Sequence, residues 1–130
     1  MAPPINPASV PRRPARLVRP RKANWRTPRG AIYVGRPTLW SNPFAGRAKI
    51  GHARSVILYD SWLRHGLTAH ILDRAGFSHA EIGALQRWRR DLVDRLRHLR
   101  GRDLECWCPR TSAWCHADVL LRLANPGRAA

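Results

Sequence analysis

The chain has 130 residues, which is enough for one compact domain and too few for two independent cores. Its 24 Lys and Arg residues against 8 Asp and Glu residues give a formal net charge of +16, which excludes the near-neutral balance of a typical globular domain. No run approaches the roughly 18 apolar residues of a membrane span, and three cysteines exclude a fully paired disulfide framework. We therefore expect a cytoplasmic protein without membrane association. Its expected partner is DNA or RNA, because cations placed on phosphates release counterions; a basic surface without such a partner is the alternative.

Residues 1–29 combine repeated prolines and eight Lys or Arg residues with no carboxylate, since the first acid of the chain is Asp60. Prolines oppose helix formation and sheet pairing, and the like charges repel one another, so this composition predicts a disordered or extended basic arm. The arm either lies along a nucleic-acid backbone or is a solvated tail. In the first case we expect phosphate contacts from its cations, namely Arg12, Arg13, Arg16, Arg19, Arg21 and Lys22.

A short strand and an ordered loop are predicted after the arm. The β-forming residues 32–34 lie between two glycines, which indicates a strand. From residue 37 to 46 prolines and a glycine prevent regular structure, while Trp40 and Phe44 are too apolar to remain in water. The loop therefore either packs these rings tightly, with Asn42 capping backbone groups, or offers them to a ligand.

Three helices are predicted in the middle of the chain. Residues 53–66 show the helical period and end at a glycine, and residues 67–76 form a less regular helical segment. Ser78 and Glu81 form a capping box that opens a helix to about residue 100. Arg89 lies within the apolar stripe of that helix, so it either extends its charge to solvent or is held inward by an anionic partner.

The C-terminal third is predicted to contribute one more strand, over residues 104–108, and a last helix over 116–125. Together these elements predict an α+β fold, with a small sheet packed against three to four helices and preceded by the basic arm. We assign residues 30–126 to a single globular domain and 127–130 to a tail.

All three cysteines lie in the segment DLECWCPRTSAWCHADVLLRLAN, with His116 directly after the last. Cys106 and Cys108 alternate along the predicted strand, and Cys115 opens the last helix, so three thiols and an imidazole approach from two elements. This set has the Cys₃His composition of a structural zinc site, with C-x-C spacing in place of the common C-x₂-C.

Two other interpretations of this segment stay open. A thiol at a helix N-terminus ionises readily, so Cys115 could be a nucleophile, with His116 or His52 as its base and Asp118 orienting the imidazole. Alternatively the cysteines fill a small core, since cysteine is among the most buried residue types. The sequence alone does not choose among metal site, enzyme and core.

Three stretches carry a family resemblance: YVGRPTLWSNPF at residues 33–44, LRGRDLECWC at 99–108 and CHADVLLRLAN at 115–125. In order and wording they resemble a domain-of-unknown-function family of phages and bacteria, DUF4326. The resemblance assigns two sets of residues to the motifs of that family. The first motif holds Arg36, Asn42, Pro43 and Phe44, and the second holds Cys106, Trp107, Cys108, Cys115, His116 and Asp118.

If the two motifs meet in space, a pocket lined by Arg36, Trp40, Asn42 and Phe44 would face the cysteines, which suits an anionic ligand with a planar base. The function we expect is that of a small basic protein associated with nucleic acid and carrying a zinc site. An enzyme acting on a nucleotide or nucleic acid, and a structural component of a virion or ribonucleoprotein, are the alternatives.

Overall fold

The computed structural model describes residues 12–127 and contains a three-stranded sheet and four α-helices, which confirms the predicted α+β class. In chain order the strands are β1 (Arg16–Val18), β2 (Ile32–Tyr33) and β3 (Leu104–Cys106), and the helices are α1 (His52–His65), α2 (Ala69–Arg74), α3 (His79–Arg95) and α4 (His116–Ala124). A 3₁₀ turn, Leu96–Leu99, extends α3 to the end that its pattern predicts. No helix within residues 12–127 is long and apolar enough to cross a membrane.

All three strands are parallel, and β3 lies in the centre of the order β1-β3-β2. Leu104 is level with Arg16 on one side and with Ile32 on the other. Parallel strands need long crossover connections, and here the three helices α1 to α3 lie between β2 and β3 in the chain. Every residue of β3 is buried, as expected for a central strand.

The structure differs from the prediction for the basic arm over residues 12–29. Residues 1–11 lie outside the described residues, but β1 belongs to the sheet and carries the chain into the globular domain. Its partners are acids some 90 positions further along: Asp103 accepts hydrogen bonds from the Ala15 amide and from the Arg12 guanidinium. Composition predicted an arm because residues 1–29 contain no carboxylate. The carboxylates that pair with Arg12 and Arg19 are those of Asp103, directly before β3, and of Glu105 in β3.

The core lies where the helices meet the loop of residues 37–46. Phe44 is fully buried and makes edge-to-face contacts with Trp62 and Phe77, with ring centroids 5.7 and 5.6 Å apart. Such pairs add stability beyond the area that they bury. The loop is therefore held by its aromatic ring, as the packing alternative for this segment predicts.

Arg89 is held inward by backbone rather than by an anion. Its Nε donates to the carbonyl of Trp62 and its Nη2 donates to the carbonyl of Leu63 at 3.1 Å. Both carbonyls belong to the last turn of α1, where that of Trp62 also accepts the amide of Gly66. The guanidinium thus caps α1 from α3, and this explains a cation within the apolar stripe.

The capping box of α3 is present as predicted: Glu81 donates its amide to the Ser78 hydroxyl and accepts the Ser78 amide through its carboxylate. The pKa of Glu81 is lowered to about 2, chiefly because Arg47 donates a hydrogen bond to the carboxylate at 2.7 Å, with the Ser78 amide adding to the effect.

This lowered pKa predicts a pH dependence of stability. A carboxyl whose pKa is lower in the folded state stabilises the protein above its unfolded pKa, and that contribution is lost as the pH falls toward the folded value. We expect Glu81→Gln to flatten the loss of thermal stability that the unsubstituted protein shows between about pH 5 and pH 2. Thermal denaturation followed across this range tests the expectation, and identical pH profiles would contradict it.

Candidate metal centre and adjoining cavity

The three thiols lie together at the junction of β3 and α4. Cys106 ends β3, Cys108 follows in a bend, and Cys115 is the N-cap residue of α4. Their sulfur atoms all lie within 4.8 Å of one another, and the Sγ atoms of Cys106 and Cys115 are 3.3 Å apart. Cys106 and Cys115 are each 1% exposed, whereas Cys108 is partly accessible. We call these three residues the sulfur triad.

The sulfur triad has the dimensions of a metal-thiolate centre. Zinc binds cysteine sulfur at about 2.3 Å, which places tetrahedral ligands about 3.8 Å apart. The three sulfurs bracket this spacing, because one pair is at 3.3 Å and all lie within 4.8 Å. The group can therefore hold a metal ion after small side-chain movements.

Ionisation of the sulfur triad is uneven. The pKa of Cys115 is lowered, because the thiols of Cys106 and Cys108 donate hydrogen bonds to its sulfur, with smaller contributions from His116 and Arg16. The pKa of Cys106 is raised, because its hydrogen bonds to Cys108 and Cys115 and its burial favour the protonated form. The lowered pKa of Cys115 favours metal binding, since a metal ion binds deprotonated sulfur.

Arg16 connects β1 with the loop that carries the sulfur triad. Its Nη2 donates to the carbonyls of Arg110 and Ser112 at 3.1 and 3.0 Å, and its Nε lies 3.7 Å from the carboxylate of Asp118. The side chain is 11% exposed, and its buried Nη1 has no hydrogen-bond partner among residues 12–127. Burial lowers the pKa of Arg16, but Cys115 and Asp118 beside the guanidinium outweigh burial and raise it.

His116, predicted as the fourth metal ligand, lies outside the group of atoms that could hold a metal ion, and Asp118 does not orient its imidazole. His116 donates its Nε2 proton to the carbonyl of Val34 at 2.8 Å, and the imidazole lies edge-on to Tyr59. Asp118 lies against Arg16, and within the described part of the chain no hydrogen bond joins it to His116. Neighbouring residues at a helix start diverge by about 100°, so Cys115 and His116 point to different partners.

The catalytic interpretation finds only part of its arrangement. His116 contributes to the lowered pKa of Cys115, as a base beside a nucleophile would. Cys115 itself is only 1% exposed, however, and the carboxylate of Asp118, which was expected to orient the imidazole, lies against Arg16.

The first and second motifs do meet in space, around a cavity of about 330 Å³. Arg36 and Asn42 from the first motif line this cavity together with Trp107, Cys108 and His116 from the second. The prediction that the two motifs face each other across a pocket therefore agrees with the structure for these residues.

Several first-motif residues have a packing role instead. Phe44 is fully buried and has no accessible surface, so the prediction that it contacts a ligand is wrong. Asn42 is 6% exposed; its oxygen accepts the amide of Phe44 and its nitrogen donates to the carbonyl of Ser55. Trp40 packs against the core, and its carbonyl accepts the hydroxyl of Tyr59. These contacts hold the loop on α1.

The predicted phosphate-binding cations of residues 12–29 fall into two groups. Arg12, Arg16 and Arg19 make intramolecular contacts: Arg12 with Asp103, Arg16 with the cysteine loop, and Arg19 with Glu105 at 3.6 Å. Arg19 also stacks over the rings of Tyr33 and Trp107. Arg13, Arg21 and Lys22 are exposed.

Glu105 is a site residue that its sequence context did not single out. It is fully buried in β3, and its carboxylate accepts hydrogen bonds from Trp25 Nε1 at 3.0 Å and from Thr27 Oγ1 at 2.9 Å. A buried carboxylate is costly unless it is paired and hydrogen-bonded. The alternation of the strand predicts only that Glu105 lies opposite the cysteines; its partners are about 80 residues away in the chain.

Comparison with protein-family models matches residues 18–126 to a domain of unknown function, DUF4326. The chain belongs to this family. No curated protein and no solved structure matches it. The DUF4326 segment includes the whole sulfur triad and the cavity, and it begins at the last residue of β1, so that Arg12, Arg13 and Arg16 precede it.

Proposed function

We propose that this DUF4326 protein binds zinc through Cys106, Cys108 and Cys115 and associates with nucleic acid through the basic edge of its sheet. The observation that carries the proposal is the position of Arg16, which joins the edge strand β1 to the cysteine loop. The metal would hold the loop, the loop holds Arg16, and Arg16 fixes the strand that leads into the exposed cations.

Zinc is the metal that suits this donor set. Thiolates select zinc, copper(I) and iron–sulfur clusters over the hard cations, and zinc accepts three or four such ligands in a tetrahedron. Two of the sulfurs are nearly inaccessible, which favours a stably held ion. The charge of Arg16 beside the triad would offset the negative charge that three thiolates leave on a zinc ion.

We call the exposed cations that flank β1 in the chain, between residues 13 and 29, the basic edge. Its members are exposed, and no acid precedes Asp60 in the chain: they are Arg13, Arg21, Lys22, Arg26 and Arg29. The acids nearest to them in the sheet, Asp103 and Glu105, are occupied by hydrogen bonds from residues 12–27. The remaining positive charge is thus displayed on a folded edge, where a phosphate backbone can release counterions by binding.

Binding to 20-nucleotide DNA and RNA, single- and double-stranded, tests the proposed association. We expect the triple change Arg21→Gln, Lys22→Gln and Arg26→Gln to weaken binding and to reduce the slope of log K against log salt by roughly 2 to 3. Fluorescence anisotropy at several salt concentrations measures both quantities.

A matched control removes the same charge elsewhere. Arg87, Arg90 and Arg97 are exposed on or just after α3, and their replacement by glutamine should change affinity much less. Equal losses from the two triple variants would mean that charge alone, without a defined edge, drives binding. Tight binding by the variant changed at Arg21, Lys22 and Arg26 would contradict the proposal that the basic edge binds nucleic acid.

A further inference from the structure

The cavity of about 330 Å³ beside the sulfur triad has the chemistry of an anion site. None of its twelve lining residues is an acid, and the lining includes Arg36 and two histidines, His52 and His116. The larger cavity on the other side of the first motif, about 670 Å³, is lined by Arg36 and Arg47 but also by the acids Glu81 and Asp91. An anion in the larger cavity is therefore repelled by carboxylates, whereas the lining of the smaller cavity contains none.

Arg36 supplies a charged donor to the smaller cavity. Arg36 and His52 are both exposed; Arg36 Nη2 donates to the carbonyl of Ala45 at 2.6 Å, and His52 Nε2 lies 2.7 Å from the carbonyl of Trp114. The contact of Arg36 fixes the direction of its side chain and uses only part of its donor capacity, since a guanidinium has five N–H groups, whereas the contact of His52 uses the single N–H of a neutral imidazole. A positioned guanidinium with spare donors is suited to a phosphate.

An aromatic wall completes the cavity. Trp107 is 48% exposed, although its Nε1 donates to the hydroxyl of Tyr33 at 2.8 Å and the Arg19 guanidinium lies 5.6 Å from its ring centroid. The ring is thus held in one orientation while nearly half of its surface stays open to solvent. A large aromatic ring exposed in this way offers a planar face for stacking.

We propose that this cavity binds a nucleoside monophosphate unit, with its phosphate at Arg36 and its base against Trp107. The volume lies at the lower end of the range for small-molecule sites, about 300 to 1,000 Å³. Cys108 belongs both to the sulfur triad and to the cavity wall, so the bound unit lies beside the metal centre. This inference rests on the proposed association with nucleic acid, because the bound unit is either a free nucleotide or the phosphorylated end of a nucleic-acid strand.

Isothermal titration with adenosine 5′-monophosphate, adenosine and inorganic phosphate, each against the full-length protein, tests the proposal. We expect the monophosphate to bind at least about tenfold more tightly than either fragment, because it engages both walls. A 5′-phosphorylated oligonucleotide and its unphosphorylated counterpart then identify the source: preference for the phosphorylated strand indicates an end, and preference for the mononucleotide indicates a free ligand.

Two variants report on the two walls. Arg36→Gln should weaken binding of the monophosphate about tenfold. Trp107→Ala should weaken it by a similar factor, and this change leaves the contact between Arg36 and the loop intact. The matched controls are Arg54→Gln and Trp114→Ala, an exposed arginine and an exposed tryptophan that do not line this cavity, and both should bind as the unsubstituted protein does.

Zinc is determined in the same samples, which separates the two proposals. Full zinc with no binding of the monophosphate overturns the cavity assignment and leaves the metal centre standing. Binding that is lost in the cavity variants but occurs without zinc supports the cavity and removes the metal. Binding that the Trp107 and Arg36 changes leave unaltered overturns the assignment even if the protein binds nucleotides.

Discussion

Replacing Cys115 with serine is expected to abolish zinc binding and to lower the free energy of unfolding by about 3 kcal/mol or more. Cys115 begins α4, and its sulfur lies 3.3 Å from that of Cys106 at the end of β3, so this residue joins the two elements. Loss of a ligand removes binding energy that only the folded state can use. Elemental analysis of protein purified without a histidine tag, together with denaturant unfolding, measures both effects.

The control for this change is Ala117→Ser, two residues further along α4. Ala117 is fully buried, so the variant places a hydroxyl in the same part of the core without removing a sulfur. It should keep one zinc per chain. If Cys115→Ser keeps its zinc, or if the unsubstituted protein contains none and is insensitive to chelators, the sulfur triad is a packed core and the metal proposal fails.

Removal of the Glu105 carboxylate is expected to destabilise the protein by about 3–5 kcal/mol, the range for breaking a buried charge pair. Glu105 is fully buried at the centre of the sheet, and its carboxylate gathers Trp25, Thr27 and Arg19 from a segment without acids of its own. In Glu105→Ala these donors lose their partner, and Arg19 keeps a charge that is 28% exposed. We expect residues 19–29 to detach from β3, so that trypsin cleaves there at native pH.

Two further variants define the origin of this effect. Glu105→Gln keeps a hydrogen-bonding amide and should cost less than Glu105→Ala, about 1–2 kcal/mol. Asp94→Ala removes an exposed acid and should change stability little. A Glu105→Ala protein as stable and as protease-resistant as the Asp94→Ala control would show that the carboxylate does not anchor the segment.

Local patterns in the sequence were sufficient to predict the helices. The capping box of Ser78 and Glu81 gives the start of α3, and Gly66, with a φ of 77°, ends α1 where its pattern ends. Caps and periodicity are properties of a few neighbouring residues, so the positions of the helices depend little on tertiary contacts. Alternation likewise predicted the strand that begins at Leu104, although β3 ends at Cys106 and Cys108 lies in the bend that follows.

The outcome for the basic arm differed because it depended on distant partners. Repeated prolines and unbalanced charge predict disorder for an isolated segment. Asp103 and Glu105 pair with Arg12 and Arg19, and β1 takes the backbone hydrogen bonds of the edge of β3. Composition averaged over a segment contains no information on acids that the fold brings to it from about 90 residues away.

The sequence by itself determined the α+β class, the helix boundaries and the family, since these depend on short-range patterns and motif wording. Only the tertiary structure decided which motif residues form the site. It placed three sulfurs together, turned His116 toward Val34, buried Phe44 and brought Arg16 to the cysteine loop. The direction of a side chain depends on the packing of the elements around it, and that packing joins residues whose separation in the chain carries no local signal.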